Sequence, residues 1–253
     1  MKRGGNEDSH SVPQSTRYRV SSGNSGGNSG GDAHRRLTAQ EREINRSKDY
    51  LFSTISSSLR NSLQLDSIAI FSVTEGNLAD QMTTTIIKHL NCHTKPSSEY
   101  ILLDGMACVG GNTISFAKSF KRILSNELNK ERFEMLRNNV QQVLNYSNVE
   151  LFNLSILDLA FQQEENSYDI LFLDPEWGGP EYKFKKNLKL TISDKPLEEF
   201  CLDIFQKCLH VEMIALKLPV NYDNRYLRDV MRAKNVTYIF DNTFEKMTST
   251  LLL

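Results

Sequence analysis

The sequence predicts an α/β fold, a mostly parallel sheet with helices on both faces. Three observations carry this. From Tyr100 to the C-terminus short β-rich runs alternate with helix-like stretches, the order of consecutive βαβ units. The runs are apolar almost throughout instead of alternating, as strands buried on both faces are. Finally, the six glycines beyond residue 31 fall in only three short segments, F-S-V-T-E-G, D-G-M-A-C-V-G-G-N-T and D-P-E-W-G-G. Turns elsewhere manage without glycine, so these three are expected to need it for backbone approach to a ligand, with ordinary tight turns as the plain alternative.

Taken in chain order, residues 1–36 come first. Seven of the thirteen glycines fall in residues 1–31, interleaved with Ser and Asn; such a segment buries too little apolar surface to offset its ordering entropy and reads as a disordered tail. It carries six Lys/Arg against three acids, enough to touch RNA loosely or simply to be a solvated leader. Thr38-Ala-Gln-Glu41 fits a capping box, so a surface helix is expected from there toward Ser58. Strands are predicted at 100–104, 123–127, 149–153, 168–174, 212–218 and 236–241, with helices near 112–120, 130–146, 197–210 and 223–234. Ser249–Leu253 reads as a closing strand antiparallel to its hairpin neighbour. In such sheets ligands bind beyond the carboxyl ends of the strands, which singles out the residues after Leu103, Asn126 and Leu173.

Composition sets bounds. The 253 residues suit one large domain plus a tail, and the net charge of −1 gives no global field toward a polyanion. No run approaches the about 18 apolar residues that span a bilayer, and no apolar stretch follows the N-terminal Lys2 and Arg3, so neither a membrane segment nor a secretory signal is expected. The four cysteines form no C-x-x-C pair and read as free thiols of a reducing compartment. His89, Cys92 and His93 have helical spacing for zinc, but no fourth ligand is evident and no metal is expected.

Residues 102–117 read strand, glycine loop, helix. The loop can hold a ligand against the helix N-terminus, yet Gly105, Gly110 and Gly111 do not make the dinucleotide fingerprint. An amino-acid-bearing nucleoside such as S-adenosylmethionine suits it better. An acid ending the next strand would then chelate ribose hydroxyls; Glu127 stands there, and a bland surface glutamate is the alternative.

Asp174 ends the fourth strand, followed by Pro175, which has no N–H and fixes its own φ. A carboxylate beside a rigid carbonyl offers two acceptors to one planar NH₂ group, a geometry suited to methylating an exocyclic amine. Trp177, the only tryptophan, could clamp a base by stacking or serve as an ordinary core residue.

In order along the chain, F-S-V-T (71–74), D-G-M-A-C-V-G-G-N-T-I-S-F-A (104–117), D-P-E-W-G-G-P-E-Y (174–182) and L-P-V-N-Y-D (218–223) resemble the trimethylguanosine synthases, which hypermethylate the 7-methylguanosine RNA cap at its exocyclic amine. The resemblance runs from about Tyr50 to the C-terminus. It implies a Rossmann-like S-adenosylmethionine-dependent methyltransferase domain over 96–253 and a small helical lobe over 37–95. It implies 7-methylguanosine-capped RNA as partner, a monomer, and residence in the nucleus or nucleolus, otherwise the cytoplasm. By position it puts Thr74, Asp104, Gly105, Gly110 and Glu127 at the cofactor, Asp174 and Pro175 at the guanine amine, Trp177 on the methylated base, and Pro219 and Asn221 in the cap-side loop.

Three positions depart from the family pattern. Glu176 replaces a second proline, Val220 replaces an arginine that could meet the triphosphate, and Ser155 stands where an acid usually faces the adenine, with Asp158 the nearest acid. Lys183, with Lys185 and Lys186, could supply the missing positive charge or form a solvated loop. Two other functions stay open: methylation of an internal nucleobase amine in RNA or DNA, and cap binding without turnover.

Overall fold

A computed structural model describes residues 38–90, 95–162, 167–241 and 247–253. The 1–36 tail and the Cys92/His93 pair therefore lie outside the described residues. From Leu37 onward the chain makes one compact unit, so the described residues 38–90 share a body with the sheet.

The unit opens with α1 (Ala39–Leu51), α2 (Ser57–Arg60), α3 (Ala69–Ser72) and α4 (Gly76–His89). Thr38 caps α1 as expected: its hydroxyl accepts from Glu41 N and its own N–H donates to the Glu41 carboxylate. The helix stops at Leu51, short of Ser58, because Phe52 and Ile55 turn inward and bury themselves in the core.

The main body follows as β1 (Ile101–Asp104), α5 (Gly111–Phe116), β2 (Arg122–Asn126), α6 (Lys130–Arg137), β3 (Val149–Phe152), α7 (Ile156–Leu159) and β4 (Ile170–Leu173). Then come the two-residue strands β5 (Thr191–Ile192) and β6 (Lys195–Pro196), α8 (Leu197–Lys207), β7 (Met213–Pro219), α9 (Asn224–Arg232), β8 (Tyr238–Asp241) and β9 (Met247–Leu252). The seven long strands form one sheet in the order β3-β2-β1-β4-β7-β9-β8. It is parallel from β3 through β7, and β9 runs antiparallel to both β7 and β8. A separate β5–β6 hairpin was not foreseen.

The helix expected over 130–146 changes character midway: after Arg137 the chain widens into a π-helical turn, Asn138–Val143. The cause is Asn139, fully buried, whose Oδ1 accepts from Gln64 N (2.6 Å) and whose amide donates to the carbonyls of Gln64 and Val109 (2.9 Å each). One side chain thus ties the N-terminal helices to the glycine loop, in line with the tendency of π-turns to sit at functional places.

Successive residues of a strand face opposite sides. Leu102, Ile170, Phe172, Met213 and Ala215 pack on one face together with Phe52, Met82 and Ile86 of the N-terminal helices. Leu103, Leu171, Leu173, Ile214 and Leu216 pack on the other, with Phe200 and Ile204 of α8. By this alternation Asp104 and Lys217 face the side covered by the N-terminal helices.

Candidate active site

Four neighbouring strands, β2, β1, β4 and β7, bring a row of charges to their carboxyl ends: Glu127, Asp104, Asp174 and Lys217. The register makes it a row, since Asp104 lies opposite Phe172 of β4 and Leu173 lies opposite Leu216 of β7. Lys217 was missed in the sequence.

Asp104 is completely buried. Its Oδ2 accepts from Thr113 Oγ1 at 2.6 Å, and Thr113 also bonds Ser125 Oγ at 2.7 Å. Its Oδ1 is buried without a partner. Burial first, then the nearby charges of Asp174 and Glu127, push this carboxyl up to about 7 against the Thr113 hydrogen bond and the backbone N–H of Met106.

Glu127 straps the glycine loop: Oε2 accepts from Cys108 N (3.0 Å) and Oε1 from Asn129 N (2.8 Å), with Arg132 Nε at 3.6 Å. Burial raises its carboxyl, and those hydrogen bonds and Arg132 oppose the rise. Carboxylate oxygens each accept two hydrogen bonds, so capacity for a ligand hydroxyl remains.

The glycine loop is held from several sides. Gly105 N donates to Phe172 O at 2.9 Å, and an added Cβ there would come within 3.0 Å of Ile156 and Leu173. Gly110 caps α5 at φ +103°, a conformation that favours glycine. At Gly111 the need comes from within the chain: a Cβ would stand 2.5 Å from Thr74 O. Likewise one on Gly76 would stand 2.6 Å from Thr54 Oγ1. For these two glycines the expectation of ligand approach is therefore corrected to close packing of the N-terminal helices. Thr74, nearly buried, accepts from Asn112 Nδ2 at 2.9 Å.

Asp174 Oδ2 accepts from Lys217 Nζ at 2.6 Å, and both side chains are about nine-tenths buried, with 11% and 8% exposure. Burial raises the Asp174 carboxyl and Lys217 pulls it back. Removing either partner of such a pair strands a buried charge. Pro175 is buried beside it. Trp177 is half-buried, packs against both halves of the core and meets Tyr182 edge-on with ring centres 5.1 Å apart. Lys217 Nζ stands 5.3 Å from the indole centre.

Pro219 closes β7, buried, and Asn221 follows it; the Asn221 amide donates to the carbonyls of Tyr182 and Lys185, both at 2.7 Å. That fastens the loop after Trp177 to the end of β7. Lys183 is exposed on this loop, and the Ser155 hydroxyl caps α7 by accepting from Leu157 N at 3.2 Å. Asp158 is exposed on α7. These last residues stand at the margin of the row rather than in it.

Among the described residues, seven buried side-chain N or O atoms have no hydrogen-bond partner, and four belong here: Asp104 Oδ1, Asn112 Oδ1, Trp177 Nε1 and Asn221 Oδ1. Orphaned buried polar groups are rare and point to a missing partner.

A family model described as RNA cap guanine-N2 methyltransferase matches residues 99–251. The chain belongs to that family. It is similar to an uncharacterised protein, L320, of Acanthamoeba polyphaga mimivirus, 30% identical over 85% of this chain and 88% of the relative. It is also 27% identical to the trimethylguanosine synthase of Schizosaccharomyces pombe over 57% of this chain and 61% of that one. A crystal structure from Porphyromonas gingivalis W83, described provisionally as a methyltransferase, shares the fold with a TM-score of 0.55 at 15% identity, over 85% of this chain and 49% of the other.

The family member is thus an S-adenosylmethionine-dependent methyltransferase with a Rossmann-like sheet. The residues present fit that cofactor. The cofactor carries a sulfonium and an ammonium, and the row offers three carboxylates of which Asp104 has no ion pair among the described residues. Asp104 Oδ1 makes no well-formed hydrogen bond within the chain, although the Met106 N–H acts on the carboxylate, so a cationic or hydroxyl-bearing ligand can donate to it. No helix among the described residues is long and apolar enough to cross a membrane.

Proposed function

We propose that this protein methylates the exocyclic N2 amine of the 7-methylguanosine cap of RNA. The observation that carries the reading is Asp174 at the end of β4, gripped through one oxygen by Lys217, with Pro175 and Trp177 next in line. The family match to cap guanine-N2 methyltransferases supports it.

When bound, the cofactor supplies an electrophilic methyl group. The chain's task is to bring the amine nitrogen to it with its lone pair free. Lys217 fixes the Asp174 carboxylate through Oδ2, which leaves Oδ1 to accept one amine N–H; the Pro175 carbonyl accepts the other. Two acceptors aimed at one NH₂ group draw it out of conjugation with the ring, and such preorganised polar groups account for about 2–4 kcal/mol of barrier lowering each. Asp174 then receives the proton that the nitrogen sheds as its new bond forms. Trp177 stacks on the base and discriminates by charge: 7-methylguanine is cationic and guanine neutral, and a cation on an indole face gains up to about 2 kcal/mol when desolvated. Asn221 Oδ1, buried without a partner, accepts from the base edge or ribose on the cap side. Thr74, Gly105, Gly110 and Ser155 border the cofactor, and Glu127 takes its ribose.

Labelled S-adenosylmethionine offered with 7-methylguanosine diphosphate, GTP and an uncapped RNA tests this. Label entering the first alone supports the reading. Label in the internal RNA would favour a nucleobase methyltransferase, and label in none would favour a cap binder without turnover.

A further inference from the structure

Five residues after Trp177 the chain reads Tyr182-Lys-Phe-Lys-Lys186. Its short 3₁₀ turn, Pro180–Phe184, buries no residue. Phe184 is 87% exposed, the largest exposure among the described apolar side chains, and Lys183, Lys185 and Lys186 around it are exposed as well. A phenyl ring left in water costs transfer free energy, and no packing among the described residues accounts for it.

The segment is nevertheless fixed in place. Asn221 binds the carbonyls of Tyr182 and Lys185. Leu188 N donates to Asn221 O and Asp223 N donates to Leu188 O, both at 2.9 Å. Lys185 Nζ lies 3.9 Å from where a Cβ on Gly178 would stand, so this ammonium borders the residue that follows Trp177. At the far end Lys189 Nζ sits 3.4 Å above the ring of Tyr226 on α9. From that helix Arg225, Arg228 and Arg232 project at i, i+3 and i+7, all exposed and on one face. Among the described residues only Arg228 of the three has an acidic neighbour in contact, Asp229 at 3.4 Å. A chain of net charge −1 thus gathers a predominantly basic strip, interrupted by the exposed Glu181 and Asp229, with an aromatic in its midst at the edge of the candidate base site.

Alternating cations and exposed aromatic rings match single-stranded nucleic acid, whose phosphates meet the former and whose bases stack on the latter. We infer that the 182–189 loop and the arginine face of α9 dock the single-stranded RNA that follows the cap, with Phe184 stacking on a base and the lysines on phosphates. This rests on the cap reading above. It makes capped RNA, rather than the free cap nucleotide, the preferred substrate.

Equilibrium binding tests it with four probes: 7-methylguanosine diphosphate, GDP, a capped ten-nucleotide RNA and the same RNA uncapped. Wild type binds the capped oligomer more tightly than the diphosphate, and its log affinity falls with log salt. Phe184→Ala, at a fully solvated site, leaves the diphosphate unchanged and weakens the capped oligomer about fivefold or more. Lys185→Gln with Lys186→Gln lowers the salt slope by about 1.4, at about 0.7 per single-strand phosphate. Unchanged oligomer affinity in Phe184→Ala would overturn the inference. So would competition by polyglutamate as effective as that by RNA, which would mark the strip as a site for acidic protein. Equal affinity of wild type for 7-methylguanosine diphosphate and GDP would sink the cap reading alone; Phe184-dependent binding of the uncapped oligomer would then still support the surface.

Discussion

Asp104→Asn should make this protein more stable and a poorer enzyme. In the fold the Asp104 carboxyl is pushed from 3.8 to about 7 by burial, with Asp174 and Glu127 adding to the rise. The sign follows from linkage: a carboxyl whose folded value is raised holds its proton in the native state where the unfolded chain has lost it. Stability from this group is therefore full below about pH 4 and is lost as pH rises toward about 7. A gap of roughly three units at about 1.36 kcal/mol each puts the penalty at neutral pH near 4 kcal/mol as an upper estimate. Relaxation around the site and coupling to the two neighbouring acids reduce it, so about 2–4 kcal/mol is expected. Asparagine keeps the shape and an acceptor for Thr113 but does not titrate. Urea unfolding of both proteins at pH 5 and pH 8 measures the difference: the variant gains on wild type at pH 8 and much less at pH 5. Calorimetry with S-adenosylhomocysteine should show weaker binding by the variant, and wild-type binding that declines below about pH 7. A variant no more stable relative to wild type at pH 8 than at pH 5 would refute the claim that Asp104 carries an uncompensated charge for the cofactor.

Lys217→Met should lower turnover by at least tenfold and move the acid limb of the pH–rate profile upward, because Lys217 is what pulls the buried Asp174 carboxyl down; Lys217→Arg should recover part of both. A depressed rate with an unmoved acid limb would make Lys217 merely structural. Trp177→Ala should lose most of the preference for 7-methylguanosine diphosphate over GDP, about ten- to thirtyfold from the cation–π contribution, whereas Trp177→Phe should keep part of it. Competition binding reads both, and a tenfold preference surviving in Trp177→Ala would reduce the indole to a wedge.

Much of the fold was legible because a parallel sheet buried on both faces writes its strands as apolar runs. Each long strand lies within a residue or two of its expected position, down to the closing β9 antiparallel to β8. What escaped was set by tertiary contact. The β5–β6 hairpin has two residues per strand, too few to make a pattern. The end of α1 depends on Phe52 finding a core, and the π-turn after Arg137 depends on Asn139 reaching Gln64 and Val109. In the site, Asp104, Glu127, Asp174 and Trp177 announce themselves by standing next to glycines or at strand ends. Lys217 does not, since a lone lysine in E-M-I-A-L-K-L looks like a solvated strand end. Only the adjacency of β4 and β7 turns it into the partner of Asp174. Gly76 and Gly111 erred the other way, their need for glycine arising from Thr54 and Thr74 instead of a ligand.

The most direct test of the central claim is the position of the transferred methyl group. Purified protein incubated with S-adenosylmethionine and 7-methylguanosine diphosphate should yield, after dephosphorylation and fragmentation in the mass spectrometer, a methyl carried on the N2 amine of the 7-methylguanine base, with GDP left unmodified. A methyl found at any other atom, or transfer to GDP at the same rate, would contradict the assignment of Asp174, Pro175 and Trp177 to the cap amine.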